Sequence, residues 1–177
     1  EGVTMGITVN DNGCITSITM PDGGVYEYRY DDMQNLAEVR NPEGNSKTFS
    51  YDNRHRLSAW YDENGNRVVQ NLYDNENRVI RQTDRLGGTI TLSYGQGKTS
   101  AKDAAGNLTV DEYDGNYRTT RITYPDGTKE TKEYKEGRMT GTVDRTGVAT
   151  SFVYNADGNI TKKTRGNVVT SFSYDGN

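Results

Sequence analysis

Residues 51–73 read YDNRHRLSAWYDENGNRVVQNLY, and this stretch contains the two kinds of turn from which the rest of the chain is built. Asp62 and Gly65 stand at the first and fourth places of a tetrapeptide, which are the places that Asp and Gly favour in a type I turn. Asp52 and His55 stand at the same two places ten residues earlier. The stretch therefore predicts two hairpin turns separated by strands of similar length.

Both turns recur along the whole chain with a period of about 21 residues. A glycine that closes a turn is expected in a left-handed backbone conformation, where a Cβ atom is costly. The repeat tyrosines are Tyr30, Tyr51, Tyr73, Tyr94, Tyr113, Tyr134, Tyr154 and Tyr174. The turn glycines of the second series are Gly23, Gly44, Gly65, Gly87, Gly106, Gly127 and Gly147, and Gly166 continues their spacing without the turn signature.

The segments between the turns alternate apolar and polar residues, as Ile90, Leu92 and Tyr94 do, and this period of two is typical of a half-buried strand. Two turns in each period leave two strands of roughly six residues. The sequence thus predicts an all-β fold, a single array of about eight hairpin repeats over residues 1–177. Open sheets rarely pass about ten strands without curling, so the sheet is expected to curve or spiral.

One repeat alone has too little apolar surface to offset the entropy of ordering it, so neighbouring repeats must share a core. The repeat tyrosines are the predicted anchors of that core, and their rings are expected to be buried. The turn glycines are predicted to carry structure and not chemistry.

The composition excludes several classes of protein. Gly at 20 residues and Tyr at 13 favour strands and tight turns over helices. The net charge of -4, without a basic cluster, argues against nucleic-acid binding. No apolar run approaches 18 residues, so no membrane insertion is expected. The chain starts and stops within a repeat, which suggests a piece excised from a longer protein.

Motifs for chemistry are weak, and no cofactor, metal or catalytic residue is predicted. Gly97, Lys98 and Thr99 imitate the end of a phosphate-binding loop but lack its first glycine and its helix. The run from Asp62 imitates a calcium loop without the required Gly and Glu. His55 is the one histidine and occupies a turn, and Cys14 has no second cysteine to pair with.

The string Tyr51, Asp52, two free residues, His55, Arg56 and Leu57, followed by Gly65, resembles the YD repeat of Rhs proteins, whose pattern is Y-D-x-x-G-R-L with a glycine in mid-repeat. The resemblance extends over essentially the whole chain. It departs from the pattern where the Asp is replaced, at Gly95 and Lys135. It also departs where the left-handed Gly is replaced, at Gln34, His55, Asn77 and Tyr117.

The resemblance implies hairpin ribbons that spiral into a hollow shell, which encloses a C-terminal effector in bacterial toxins and forms an extracellular barrel in teneurins. The chain is therefore interpreted as a non-enzymatic part of the wall of a secreted or cell-surface protein. Its expected partners are the rest of its own parent chain and an enclosed effector polypeptide. Unpaired edge strands also predict edge-to-edge association with further copies.

Aromatic side chains outside the anchor series support one alternative. Trp60, Tyr28 and Tyr61 could stack on sugar rings from a polar sheet face, which would make the chain a carbohydrate-binding or adhesion module. The competing interpretation is that these rings simply pack in the inner layer of the sheet. A glycan is therefore the alternative partner.

Overall fold

Residues 4–175 are described by a computed structural model, and every regular element in that part of the chain is a β-strand. The all-β prediction is confirmed, with one strand more than the sixteen expected. The strands are β1 (Gly6–Val9), β2 (Ile15–Thr19), β3 (Val25–Tyr30), β4 (Leu36–Arg40), β5 (Ser46–Tyr51), β6 (Leu57–Tyr61), β7 (Arg67–Tyr73), β8 (Val79–Asp84), β9 (Thr89–Gly95), β10 (Lys98–Lys102), β11 (Leu108–Tyr113), β12 (Thr119–Thr123), β13 (Lys129–Lys135), β14 (Arg138–Val143), β15 (Ala149–Tyr154), β16 (Ile160–Arg165) and β17 (Val168–Ser171).

The chain divides into two compact units, residues 1–91 and 92–177, and the division falls inside β9. In the first unit, β1 to β9 pair in chain order as antiparallel neighbours. In the second unit, β10 to β17 do the same. Within each unit a strand contacts only its chain neighbours. The repeated hairpin meander is confirmed, whereas the curvature of the sheet stays a prediction.

The turns of the glycine series have the predicted geometry. The amide of Gly65 donates a hydrogen bond to the Asp62 carbonyl oxygen at 2.9 Å, which closes a turn of the expected length. All seven predicted glycines have a φ between 74° and 89°, so each occupies the left-handed region that favours glycine. Gly166 also has a positive φ of 54°, but its amide donates to the Ala149 carbonyl oxygen.

The turns that follow the repeat tyrosines are called here the tyrosine-side turns, and several of them place a residue other than glycine at the left-handed position. Gln34, His55, Asn77 and Tyr117 have φ values between 60° and 65°, as their alignment with the glycine of the repeat predicts. The sequence did not indicate Glu136, which has a φ of 51° in the short turn after Tyr134. L-residues rarely adopt this conformation without a local compensation.

The repeat tyrosines were expected to be buried anchors of a shared core, and the structure buries them only in part. Among the described residues, Ala59 is the one buried apolar side chain, at 6% exposure. Seven of the eight repeat tyrosines are half-buried, and Tyr174 is exposed. The physical reason is that strands in each unit contact only their chain neighbours, so a ring is covered by adjacent strands and not by a second layer.

Candidate functional site

The tyrosine-side turns are held by their first side chain. In the turn at Asp52, Oδ1 accepts hydrogen bonds from the backbone amides of Arg54 at 2.9 Å and Arg56 at 3.1 Å. An aspartate that binds the amides two and four residues ahead replaces the hydrogen bonds that the backbone lacks in a turn. Partial burial raises the pKa of Asp52, but the hydrogen bonds from the Arg54 amide, the Arg56 side chain and the Arg56 amide outweigh it and leave this pKa below its ordinary value.

The Arg56 side chain connects one repeat to the next. Its Nε and Nη2 atoms each lie 2.7 Å from Oδ2 of Asp52, in its own turn. Its guanidinium lies over the ring of Tyr73, 4.6 Å from the ring centre, in the following repeat. Its Nη1 donates to the Asp74 carbonyl oxygen at 2.9 Å and to Oδ1 of Asn77 at 3.0 Å. This one side chain therefore contacts its own turn, the tyrosine ring of the next repeat and the turn that follows that ring.

The second unit contains the same arrangement. Arg118 pairs with Asp114 at 2.7 Å and lies 4.6 Å from the centre of the Tyr134 ring. Arg138 lies 5.8 Å from the centre of the Tyr154 ring. A cation over an aromatic face within about 6 Å is attracted by the ring quadrupole. We name the space over a repeat-tyrosine ring in which these guanidinium groups lie the cation slot.

The hydroxyl of the repeat tyrosine makes a second contact with the previous repeat. Tyr73 donates to the Leu57 carbonyl oxygen at 2.8 Å, and Tyr154 donates to the Met139 carbonyl oxygen at 2.7 Å. Tyr30 and Tyr174 make the equivalent bonds, to Ile15 and Ile160. At Tyr73 and Tyr154 the ring thus receives a cation on its face, and its hydroxyl donates to a carbonyl oxygen of an earlier strand.

Arginine at this position is the functional residue that the sequence reasoning missed. A signal was present, because an arginine follows the repeat tyrosine by four or five residues in four of the repeats: Arg56, Arg78, Arg118 and Arg138. Its partner ring lies a further 16 or 17 residues along the chain, and this pairing becomes visible only when the strand register is known.

The opposite turns, called here the glycine-side turns, are joined by ion pairs. Arg85 lies 3.2 Å from Asp62, and Arg165 lies 3.1 Å from Asp144. Each pair connects two successive turns on the same side of the meander. The arginines are exposed, whereas Asp62 and Asp144 are half-buried, and a pair with one partner in solvent is expected to contribute little alone.

The three proposed sugar-contacting residues do not come together. Trp60 pairs with Phe49 across the strands, and their rings stack at 6.4 Å. Tyr28 is on the same face as Trp60 but three strands away. Tyr61 pairs with Thr48, so it lies on the other face. The structure therefore places two candidates apart on one face and the third behind them.

The weaker sequence motifs occupy ordinary turns. Gly97 has a φ of 67° between β9 and β10, in a hairpin and not before a helix. Oδ1 of Asp62 accepts the amides of Asn64 and Asn66, so the calcium-like run is a capped turn. Nδ1 of His55 lies 2.7 Å from Oδ1 of Asn35, a residue exposed by only 9%. In the described part of the chain, no three His, Cys, Asp or Glu residues form a group able to hold a metal ion.

Between residues 4 and 175, no helix is long and apolar enough to cross a membrane.

Comparison with known proteins agrees with the repeat interpretation. Residues 10–46 match the family model described as RHS Repeat, so the resemblance to the Rhs repeat is confirmed there. No curated protein matches the chain.

Solved structures show the same fold over most of the chain. One is the Tc holotoxin pore of Photorhabdus luminescens with a mutation in TccC3, with a TM-score of 0.71, 11% identity and coverage of 93% of this chain. Another is the complex TcdB2-TccC3-Cdc42, with a TM-score of 0.50, 12% identity and 91% coverage. The present chain spans about 11% of the length of each of these chains.

Proposed function

We propose that this chain is a structural stretch of Rhs-type repeat wall in a longer secreted protein, and that the wall encloses or presents another polypeptide. The observation that carries the proposal is the cross-repeat contact of Arg56, whose partners lie in its own turn and in the next repeat. Its role there is to fix successive hairpins to each other. We assign the chain no enzymatic activity, and we take residues 1–177 as one array of repeats.

The repeat tyrosines and turn glycines are the residues proposed to maintain this wall. Several of the rings take part in a contact with a neighbouring repeat, as Tyr73 does with Arg56 and Leu57. Each glycine allows a hairpin to reverse without backbone strain, as Gly65 does with a φ of 74°. Their loss is expected to reduce stability and not to remove a chemical step.

The first test is the intact mass of the native polypeptide that carries this segment, measured by immunodetection and mass spectrometry on both cells and culture medium. A secreted product many times larger than 19.8 kDa, with a second polypeptide protected from added protease until the wall is opened, is the expected result. A native product close to 19.8 kDa would overturn the enclosure proposal, because so few strands cannot surround a domain.

The alternative function is carbohydrate binding. Its support is that Trp60 and Tyr28 share one face of the first unit. A broad glycan array with the wild-type chain and the Trp60→Ala variant tests it. Binding that Trp60→Ala removes would favour this function, and equal signals from both chains would end it.

Edge-to-edge association concerns β1 and β17. Val168 and Val169, on β17, are 68% and 55% exposed, so an added strand would cover apolar surface. Sedimentation of the 177-residue chain over a range of concentrations is expected to show oligomers that grow with concentration. A single monomeric species at the highest concentration would contradict this proposal.

A further inference from the structure

The turn at Asn10 is one more copy of the tyrosine-side arrangement, in which Asn10 replaces the aspartate and Cys14 replaces the arginine. Oδ1 of Asn10 accepts the amides of Asn12 at 3.1 Å and Cys14 at 2.9 Å, as Asp52 accepts the amides two and four residues ahead. Tyr30 donates to the Ile15 carbonyl oxygen at 2.8 Å, the same distance as in the Tyr73 bond. The frame is therefore conserved within the molecule, but Cys14 stands where the arginine stands in other repeats.

A cavity of about 420 Å³ lies at this position. Its lining includes Cys14, the ring residue Tyr30, and Asn10, Asp31 and Gln34. Thr16, Tyr28, Arg29 and Asn12 complete the wall. A cysteine side chain carries one heavy atom beyond Cβ and cannot place a charged group over the ring.

The lining reproduces the partners of a guanidinium that the structure shows elsewhere. Arg56 contacts four residues: Asp52 in its own turn, Tyr73 by the ring, Asp74 by the carbonyl oxygen, and Asn77 by the side-chain oxygen. The counterparts by position in the repeat are Asn10, Tyr30, Asp31 and Gln34, and all four line the cavity.

The backbone conformation of the two turns also matches at the left-handed position. Gln34 has a φ of 64° and Asn77 has a φ of 65°, so both turns hold an amide side chain at the left-handed residue. In the repeat of Asn77, the side-chain oxygen accepts from Arg56 at 3.0 Å. The side-chain oxygen of Gln34 is an acceptor of the same chemical type at the same position of the frame.

We propose that this cavity, the cation slot of Tyr30, binds a guanidinium group supplied from outside the segment. The group lies over the Tyr30 ring and donates to the Asp31 carbonyl oxygen and to the side-chain oxygen of Gln34. The ligand class is an arginine side chain of a polypeptide or a free alkylguanidinium. This inference does not depend on the proposed wall function.

The local charges favour a cation. Asp31 is one of the lining residues, and its carboxylate accepts two hydrogen bonds from the Asn35 side chain, at 2.9 and 3.2 Å. The Asn35 side chain is also the main cause that lowers the pKa of Asp31, so Asp31 is ionised at neutral pH. The positive group in the wall, Arg29, pairs with Glu38 at 3.3 Å, which offsets its repulsion.

Asn10 is a weaker hydrogen-bond acceptor for a guanidinium than Asp52 is in the Arg56 arrangement. Asp52 offers a carboxylate oxygen to the guanidinium, whereas Asn10 is neutral, and its Oδ1 already accepts two amides. The Asn10→Asp variant restores the carboxylate. Because charge-assisted hydrogen bonds are about twice as strong as neutral ones, binding should tighten by roughly threefold to tenfold in this variant.

The test is a titration of the whole 177-residue chain with methylguanidinium and, separately, with an arginine residue blocked at both ends. Nuclear magnetic resonance follows the ring signals of Tyr30, and methylammonium serves as the probe of charge alone. The expected result is saturable shifts with both guanidinium probes at about millimolar concentrations and at least tenfold weaker shifts with methylammonium. A tighter fit of the blocked arginine would assign the site to a polypeptide, and equal affinity would assign it to the guanidinium alone.

Two variants make the outcome decisive. Cys14→Arg fills the slot from within, so it should abolish the shifts at Tyr30 and raise the melting temperature. Arg56→Cys opens an equivalent slot over Tyr73, so it should add a second set of shifts at that ring. The proposal is overturned if Cys14→Arg binds the probes as well as the wild type does, or if Arg56→Cys takes them while the wild type does not. Circular dichroism of each variant confirms that it is folded.

Discussion

The two sides of the meander differ in the residues that they place at the positive-φ position of their turns. Both close their hairpins with a residue at positive φ, and the seven predicted glycine-side turns place glycine there. The tyrosine-side turns use His55 and Asn77 as well as glycine. A Cβ added at Gly65 would meet nothing within 4 Å, whereas the His55 side chain contacts Asn35 and the Asn77 side chain contacts Arg56. At His55 and Asn77, therefore, a strained residue has a side chain that finds a partner.

The largest effect should come from acid, which acts on both sides together. The pKa is lowered at eight turn aspartates, four on each side: Asp31, Asp52, Asp74 and Asp114, and Asp62, Asp103, Asp126 and Asp144. A carboxyl whose pKa is lower in the folded chain stabilises it above the unfolded pKa of about 3.9, and this contribution is lost as the pH falls through the folded pKa. The free energy of unfolding, measured by denaturant titration from pH 6 to pH 2, should fall steeply below about pH 4.

Asparagine variants sharpen this test of the two sides. Asn10 and Asn155 already cap their turns through Oδ1 without a charge. Asp52→Asn and Asp62→Asn should therefore each remove a similar part of the acid sensitivity while leaving the turn closed. A pH profile that neither variant alters would show that these carboxylates do not control acid unfolding.

The second effect tests the guanidinium–ring contact that recurs on the tyrosine side. Arg56→Ala removes a ring contact and hydrogen bonds to the next turn, so it should lower the free energy of unfolding by about 1 to 3 kcal/mol. Arg81→Ala is the matched control, because Arg81 is an exposed strand residue and surface changes of this kind stay within about 0.5 kcal/mol. Equal losses for both variants in a urea titration would mean that the cross-repeat contact is not specific.

The third effect tests the glycine side. Gly65→Val forces a β-branched side chain into a left-handed turn and should cost about 1 to 2 kcal/mol. Since an added Cβ would meet nothing within 4 Å, backbone strain is the expected source of the cost. Gly65→Asn should cost less, because asparagine tolerates this conformation. A Val variant as stable as the wild type in thermal unfolding would contradict the left-handed turn.

The smallest effect compares two strained residues on the tyrosine side. Tyr117 has a φ of 60° and is 90% exposed, so nothing visible offsets its strain. Tyr117→Gly should raise the free energy of unfolding by about 0.5 to 1 kcal/mol. His55→Gly should leave it nearly unchanged, because the relief of strain is offset by loss of the hydrogen bond to Asn35. A larger gain in the free energy of unfolding for His55→Gly than for Tyr117→Gly would contradict the idea that the hydrogen bond to Asn35 offsets the strain at His55.

What could be foreseen from the sequence follows from the range of each interaction. The turn at Gly65 was predictable because Asp62 lies only three residues away, and Asp and Gly at this spacing favour a type I turn. The position of Arg56 over Tyr73 was not, because it depends on the register between strands 17 residues apart in sequence. The extent to which the rings are buried was not predictable either, because alternation shows which face is apolar but not whether a second layer covers it.

The candidate site was less predictable than the fold for the same reason. The sequence assigned no role to Cys14, because a single cysteine has no second cysteine to pair with. Its interest comes from Tyr30 and Gln34, which lie 16 and 20 residues later and meet it only in the folded hairpins. Trp60 and Tyr61 illustrate the reverse case, because residues adjacent in sequence are separated by the two faces of one strand.

The contact of each strand with only its chain neighbours bears on how such a gene can change length. A copying error that adds or removes one period of about 21 codons would insert or delete a complete hairpin with its own turn closures. The flanking hairpins would meet again with the same kinds of contact, provided that the arginine and the tyrosine at the join remain in phase. Duplication can therefore lengthen the array without any new interface, whereas a frame change of one residue within a strand would reverse which side chains face the ring.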